Sequence, residues 1–399
     1  MLALVKRRPM SLSPSFVARD VNHVLISGQS LSTGTQGYPA LSVAQPYDNL
    51  MFNTGVRAGY LGSSFVPLAE TNNGDVEGET IASGMANLST ELAQGLGEAA
   101  HVLLMSCHGV GSYAYAQLKK GTAVWDNMTA QVTNAKNIAT GADLTHIVRG
   151  VLIVHGESDC ANHNENYDDN LVEWQADYDT DVKALTGQSD SVAMFITQLS
   201  SWWIVGGTVS LALQQLAASV ASAGKIVMVG PKYQFAYTDG LHMNAENYRW
   251  LGEYYAKAYR RVILEGLPWE PVRPRSVRRT GASIDVHFHV PVRPLALDTV
   301  RVSNPGHFGF EYTDDSGAPP SITMVKLTSP SSLRVSLSTA PTGANQRLKY
   351  ACASGTYGGP ATGPRGCLRD SDTTVSRNGK DLFNWCVHFD EPVTSVDIG

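Results

Sequence analysis

The stretch VLISGQSLS, residues 24–32, joins three apolar residues to a run of small polar ones. A short apolar run that ends abruptly in Ser and Gly reads as a buried strand stopped by a tight turn. That reading places Ser30 at the carboxyl end of a strand, where open α/β sheets carry their sites. An ordinary turn serine is the plainer alternative. The residue gains meaning only if the rest of the chain supplies partners for it.

Working outward, further apolar runs occur at 102–105, 151–154, 192–196 and 226–229. Helical patterns lie between and after them. ASGMANLSTELAQGL repeats Met85, Leu88 and Leu92 at three- and four-residue spacing, and NLVEWQADYDTDVKAL does the same with Leu171, Trp174, Tyr178, Val182 and Leu185. TVSLALQQLAASVAS and NAENYRWLGEYYAKAYRRV complete the set, the last with Asn244 as its N-cap. Strands alternating with helices imply a parallel sheet covered on both faces by right-handed crossovers. Five strands predict a flavodoxin-like, three-layer α/β/α domain over 20–265, preceded by an N-terminal extension, 1–19.

Near residue 266 the character changes. GLPWEPVRPRSVRRTG, within 266–281, is rich in Pro and Arg and reads as a linker. SIDVHFHV then alternates Ile284, Val286, Phe288 and Val290 with Asp285, His287 and His289, the period of a half-buried strand. TMVKLT, SLRVSLS and RLKYAC follow between Gly, Pro and Ser turns, so 282–399 is expected to be an all-β, sandwich-like domain. Two domains also suit a chain of 399 residues, too long for one ordinary core.

Composition excludes several classes of function. A net charge of −6 supplies no basic field for phosphates, so a nucleic-acid partner is not expected. No apolar run approaches the roughly 20 residues of a membrane span. The opening MLALVKRRPMSLSPS has basic residues but no apolar segment after them, so no signal peptide is recognisable. Extracellular or virion-associated action stays open. The five cysteines show no C-x-x-C spacing; one bridge among Cys352, Cys367 and Cys386 is the only disulfide the pattern leaves room for.

A serine hydroxyl needs a base to take its proton, and the base needs an orienting acid. YTDGLHMNAENY, residues 237–248, offers both in Asp239 and His242, in a loop after the fifth run and before a helix. Such a loop lies at the same sheet edge as Ser30. HGESDCANHNEN holds His155, Glu157, Asp159 and His163, but without metal-protease spacing, so neither metal nor cofactor is expected. Glu157 and Asp159 are read as fixing the loop that carries His155. His108, Tyr113, Tyr115, Trp202 and Trp203 are placed near the site by loop position alone.

GQSLS is not the G-x-S-x-G elbow, and the acid and base lie too close together for that fold. The pattern instead resembles the SGNH hydrolases, and within them the carbohydrate-esterase branch of sialate O-acetylesterases and acetylxylan esterases. GQS at 28–30, HGVGSYAYAQLKKGTAVWDNM, GVLIVHGESD at 150–159 and DGLHMN carry the resemblance, in matching order over about two-thirds of the chain. It implies Ser30 as nucleophile, His242 as base and Asp239 as orienting acid. It also implies an oxyanion hole from the N–H groups of Ser30 and Gly111, with Gly109 as the rival glycine, and a side chain at the position of His155. Gln29 belongs to the supporting loop. The family usually has Gln or Asn where His155 stands, and a neutral imidazole can donate one N–H there.

The resemblance thus implies a metal-independent serine esterase acting on an acetylated carbohydrate through an acetyl-enzyme. A lipid esterase or thioesterase on the same fold is an alternative. A glycan- or receptor-binding protein with a degenerate hydrolase domain is an alternative of another class.

Overall fold

The computed structural model describes residues 11–60, 62–353 and 355–396. Most of the proposed N-terminal extension, 1–10, lies outside the described residues. The central sheet is built from β1 (Val21–Gly28), β2 (Leu50–Phe52), β3 (Phe65–Pro67), β4 (Leu103–Cys107), β5 (His146–Val154), β6 (Ala193–Gln198) and β7 (Ile226–Pro231). Its order is β3-β2-β4-β1-β5-β6-β7. The five runs read from the sequence form its five contiguous parallel strands, in the 2-1-3-4-5 order of flavodoxin-like sheets. The sheet nevertheless has seven strands, not five. Two three-residue strands extend one edge, β3 antiparallel to β2, and both are too short to show a periodicity.

The helices are α1 (Ser30–Thr33), α2 (Ile81–Gln94), α3 (Tyr115–Leu118), α4 (Ala123–Gly141), α5 (Glu157–Ala161), α6 (Tyr167–Thr186), α7 (Ser210–Ala221) and α8 (Ala245–Tyr259). Asn244 caps α8 as expected, its side chain accepting from the N–H of Asn247 at 3.0 Å. The sequence reading missed α4, although Val124, Met128, Val132, Ala135 and Ala139 bury one helical stripe. Alanine at two of these positions weakens the apolar signal.

Helix α2 packs on α8, whereas α6 packs on both α4 and α7. Right-handed crossovers require that division, because α2 leads the chain one way along the sheet and α4, α6 and α7 lead it the other. The direction reverses at β1, so the carboxyl ends of β1 and β5 flank the crevice where such folds bind ligands.

The remaining strands are β8 (Arg273–Thr280), β9 (Ser283–His289), β10 (Ala296–Leu297), β11 (Phe310–Thr313), β12 (Ile322–Ser329), β13 (Ser332–Leu337), β14 (Arg347–Tyr350), β15 (Leu368–Arg369), β16 (Phe389–Pro392) and β17 (Thr394–Ser395). They form sheets of five, three and two strands among the described residues. The stretch expected to be a linker contains β8, which pairs antiparallel with β9 over almost its whole length. Its Pro and Arg residues misled the reading: Val277 is buried while Arg275 and Arg278 point outward, a strand pattern masked by charge. All five cysteines are free, so the last three form no bridge.

The contact between α2 and α8 depends on glycine at both partners. A Cβ on Gly84 would collide with the carbonyl of Arg249, and one on Gly252 with that of Ile81. Gly252→Val should therefore lower stability by about 1–3 kcal/mol or more through overpacking, measured as the shift in a urea-denaturation midpoint at unchanged slope.

Candidate active site

The turn after β1 is held by close backbone approach. Gly28 has φ +135°, and a Cβ there would collide with the carbonyl of Val154 at the end of β5, so only glycine fits. Gln29 then turns its side-chain carbonyl to accept from the N–H of Ser158 at 2.9 Å. Ser30 follows as the first residue of α1, its N–H without an intrahelical partner.

The other half of the site is the loop between β7 and α8. One oxygen of Asp239 accepts from the N–H groups of Leu241 (3.0 Å) and His242 (2.7 Å), and the other from Nδ1 of His242 at 2.7 Å. A three-residue separation suffices because the aspartate caps its own turn. Since a carboxylate only accepts, Nδ1 carries the proton and Nε2 is left as an acceptor. Nε2 lies 2.8 Å from Oγ of Ser30. Partial burial pushes the Asp239 carboxyl up, but the bonds from His242 and Leu241 outweigh it and hold the group below its ordinary value.

Gly111 stands beside Ser30, with 3.9 Å between its Cβ direction and Cβ of Ser30. Gly109 is instead packed under the turn, where a Cβ would meet Ser32 and the carbonyl of Gly28. The two glycines thus have different jobs: Gly109 makes room for the turn and Gly111 faces the serine.

His155 is not placed as the resemblance implied. It is fully buried, with Nε2 donating to the carbonyl of Tyr113 at 2.9 Å and Nδ1 accepting from the Tyr167 hydroxyl at 2.6 Å. Burial lowers its pKa, against the opposing pull of Asp159, and the Tyr113 carbonyl places an N–H on Nε2. That N–H is already committed to Tyr113, leaving none for an oxyanion. The ring instead ties down the segment that follows Gly111. Asp159 does the same one step further on, accepting from the N–H of Tyr115 at 2.7 Å and from Asn164 at 2.7 Å.

Glu157 reaches beyond the loop it was expected to fix. It pairs with Lys232 at 2.5 Å, both side chains essentially inaccessible, and Ser201 adds a bond at 3.3 Å. Burial alone would raise the Glu157 carboxyl, but Lys232 outweighs it and the group is lowered. This pair joins the segment after β5 to the segment after β7. Among the described residues no cluster of three or more His, Cys, Asp or Glu is arranged to hold a metal ion.

Of the aromatics placed near the site by loop position, Trp202 is buried against His388 and Tyr115 against Trp174. His108 is buried as well, bonded to the Tyr178 hydroxyl at 2.7 Å. Trp203 is half exposed. Sequence reasoning missed Tyr357, whose half-exposed ring packs directly over Gly240 between Asp239 and His242. The N–H of Gly358 donates to the carbonyl of Gly240 at 2.9 Å, fastening a loop of the C-terminal β region to the loop carrying Asp239 and His242. A contact over more than a hundred residues leaves no local signal.

A family model described as SASA, carbohydrate esterase, sialic acid-specific acetylesterase, matches residues 22–261. The chain belongs to this family. As a SASA carbohydrate esterase it resembles, in fold, a carbohydrate acetylesterase of Xanthomonas citri, at 13% identity and TM-score 0.59, over 93% of this chain and 80% of that one. A protein of Arabidopsis thaliana aligns at 19% identity and TM-score 0.47, over 60% of this chain and 97% of that one. A carbohydrate acetylesterase of Sinorhizobium meliloti aligns at 16% and 0.34, over 59% and 97%. No curated protein sequence matches the chain significantly.

Removing Lys232 would leave Glu157 buried without compensation. Lys232→Met should destabilise the esterase by about 3–5 kcal/mol, with much of the loss recovered in the double variant with Glu157→Gln. Because the folded-state pKa of Glu157 is lowered, the pair's contribution is present above the ordinary glutamate range and lost as pH falls through the folded value. The stability difference between wild type and Lys232→Met should accordingly shrink on acidification, as read from denaturant midpoints across pH.

Proposed function

We propose that this SASA-family protein is a serine esterase that removes O-linked acetyl groups from a carbohydrate through an acetyl-enzyme. The observation that carries the reading is the unbroken chain from Ser30 Oγ through His242 to Asp239, at 2.8 and 2.7 Å. In that chain Nε2 of His242 takes the Ser30 proton as Oγ attacks the acetyl carbonyl. The imidazolium that forms is stabilised by Asp239, which stays ionised. Negative charge on the carbonyl oxygen falls between the N–H groups of Ser30 and Gly111. Each such donor typically contributes about 3 kcal/mol of transition-state stabilisation.

Collapse of the tetrahedral intermediate breaks the bond to the sugar oxygen, which leaves with the proton from His242. Water then attacks the acetyl-enzyme, giving its proton to His242, and as the second tetrahedral intermediate collapses His242 returns that proton to Oγ of Ser30 and acetate leaves. His155 acts on this scheme as a positioning residue, through the Tyr113 carbonyl and hence the segment carrying Gly111.

Acetate release from p-nitrophenyl acetate and from an acetylated oligosaccharide should vanish in Ser30→Ala. Asp239→Asn should keep the fold but lower kcat by about 10³–10⁴-fold, because it no longer selects the productive imidazole tautomer. Preference for long acyl chains over acetyl in a p-nitrophenyl ester series would overturn the acetylesterase reading in favour of a lipid esterase. Glycan binding without ester turnover would favour a binding protein.

A further inference from the structure

The turn that carries Asp239 and His242 is closed upon itself. Asp239 accepts from the N–H groups of Leu241 and His242 and from Nδ1 of His242, and the N–H of Thr238 donates to the carbonyl of His242 at 2.7 Å. All of these bonds lie within 238–242, so they fix the shape of the turn but not its place relative to Ser30. At its base the turn is anchored by Met243, which is fully buried and bridged to Tyr237, and by Asn244, the cap of α8. An anchor at one end fixes a point and leaves the orientation of the tip to be settled elsewhere.

The tip is Gly240, at φ +85°, and it is buried although the Asp239 side chain next to it is 41% exposed. Two side chains from distant segments cover it. A Cβ at Gly240 would collide with the ring of Tyr357 and with Cδ1 of Ile204, which lies between β6 and α7. The N–H of Gly358 adds its bond to the Gly240 carbonyl at 2.9 Å. The tip is thus gripped from the α/β part by Ile204 and from the C-terminal β region by Tyr357 and Gly358.

The loop that delivers Tyr357 is built for close approach. Within GTYGGPATG, residues 355–363, Tyr357 is the one aromatic residue. Gly358 lies so near the Tyr237 ring and the Gly240 carbonyl that a Cβ would stand 3.0 Å from each. The loop is held by its own region: the Pro360 carbonyl accepts from the N–H of Ser303 at 2.9 Å, and that of Gly363 from Nη1 of Arg365 at 2.9 Å. The Tyr357 hydroxyl has no hydrogen-bond partner among the described residues, so its hold on the tip is the packing of the ring.

We infer that Tyr357 is a positioning residue for the esterase: its ring, together with Ile204, orients the Gly240 tip so that Nε2 of His242 faces Oγ of Ser30. The C-terminal β region is then a working part of the site. The inference rests on the esterase reading, since Tyr357 acts only through His242 and Asp239. Its effect bears equally on every acetyl ester, because the proton transfer from Oγ to Nε2 is the same whatever the alcohol. A misplacement of about 1 Å at such a contact costs on the order of 10²-fold in rate.

The test measures kcat and KM of the full chain on p-nitrophenyl acetate and on an acetylated oligosaccharide, beside the rate at which a fluorophosphonate labels Ser30, followed by intact mass. Labelling needs the same proton transfer to His242 and no bound sugar. Tyr357→Ala should lower kcat on both esters by about tenfold or more, with KM changed by less than about twofold, and slow the labelling in parallel. Tyr357→Phe should retain wild-type values, since the hydroxyl is unbonded. Ile204→Ala, which trims the other side chain over Gly240, should move kcat in the same direction and decides the matter if Tyr357→Ala does not fold. Unchanged kcat and labelling in a folded Tyr357→Ala protein, or in Ile204→Ala where that variant decides, overturn the inference. So does a rise in KM confined to the oligosaccharide, which makes Tyr357 a substrate contact, and so does an equal loss in Tyr357→Phe. A wild type that neither hydrolyses p-nitrophenyl acetate nor takes the label overturns the esterase reading itself, and the inference falls with it.

Discussion

Gly28 must be glycine because the last residue of β1 lies flush against the carbonyl of Val154, and the surrounding site depends on that contact. With no Cβ in the way, the ends of β1 and β5 come together at the point where the sheet's connections change direction. Gln29 then bonds across to Ser158, so the turn carrying Ser30 is fixed to the segment following β5 rather than left as a free loop. The same segment supports the neighbouring wall, through His155 to Tyr113 and Asp159 to Tyr115. Ser30 and Gly111, brought close from two different strands, thus share one foundation.

The loop carrying Asp239 and His242 is braced from another direction. Glu157 and Lys232 join the ends of β5 and β7 by a fully buried ion pair, which holds relative position more than it adds stability. From the C-terminal β region, His388 accepts from the Ser200 hydroxyl at 2.7 Å, and Ser200 in turn accepts from the N–H of Lys232 at 3.0 Å. Tyr357 and Gly358 close over Gly240. Lys257 of α8 meets Asp372 at 2.8 Å, and Asn384 at 2.8 Å. The C-terminal segments that carry Asp372, Asn384 and His388 therefore form the seam with the α/β part, where their polar groups find buried partners.

Much of the architecture was legible from periodicity. Consecutive apolar residues bounded by small ones marked the parallel strands, because a strand covered on both faces needs apolar side chains in both directions. Three- and four-residue spacing marked α2 and α6, and the Asn244 cap marked α8. The edge strands β2 and β3 escaped because three residues carry no period, and β8 escaped because its exposed face is arginine. At the site, Ser30, Asp239 and His242 could be read as a group because each sits in a short motif of restricted residue types. Tyr357 and Lys232 could not, since neither lies in a motif and each meets its partner only across the fold.

His155 shows where the two levels part. Its place in GVLIVHGESD was clear from the sequence, yet its chemistry was not, because an imidazole has only one N–H when neutral and the fold decides which neighbour receives it. By itself, the sequence determined the order of the five core strands, their parallel arrangement and a serine, a histidine and an aspartate in short motifs, all of which follow from local pattern and side-chain chemistry. Tertiary structure alone decided that the Ser30 hydroxyl faces Nε2 of His242 and that Gly111 rather than Gly109 stands beside it. Those outcomes depend on distances between segments far apart in the chain, which no local pattern encodes.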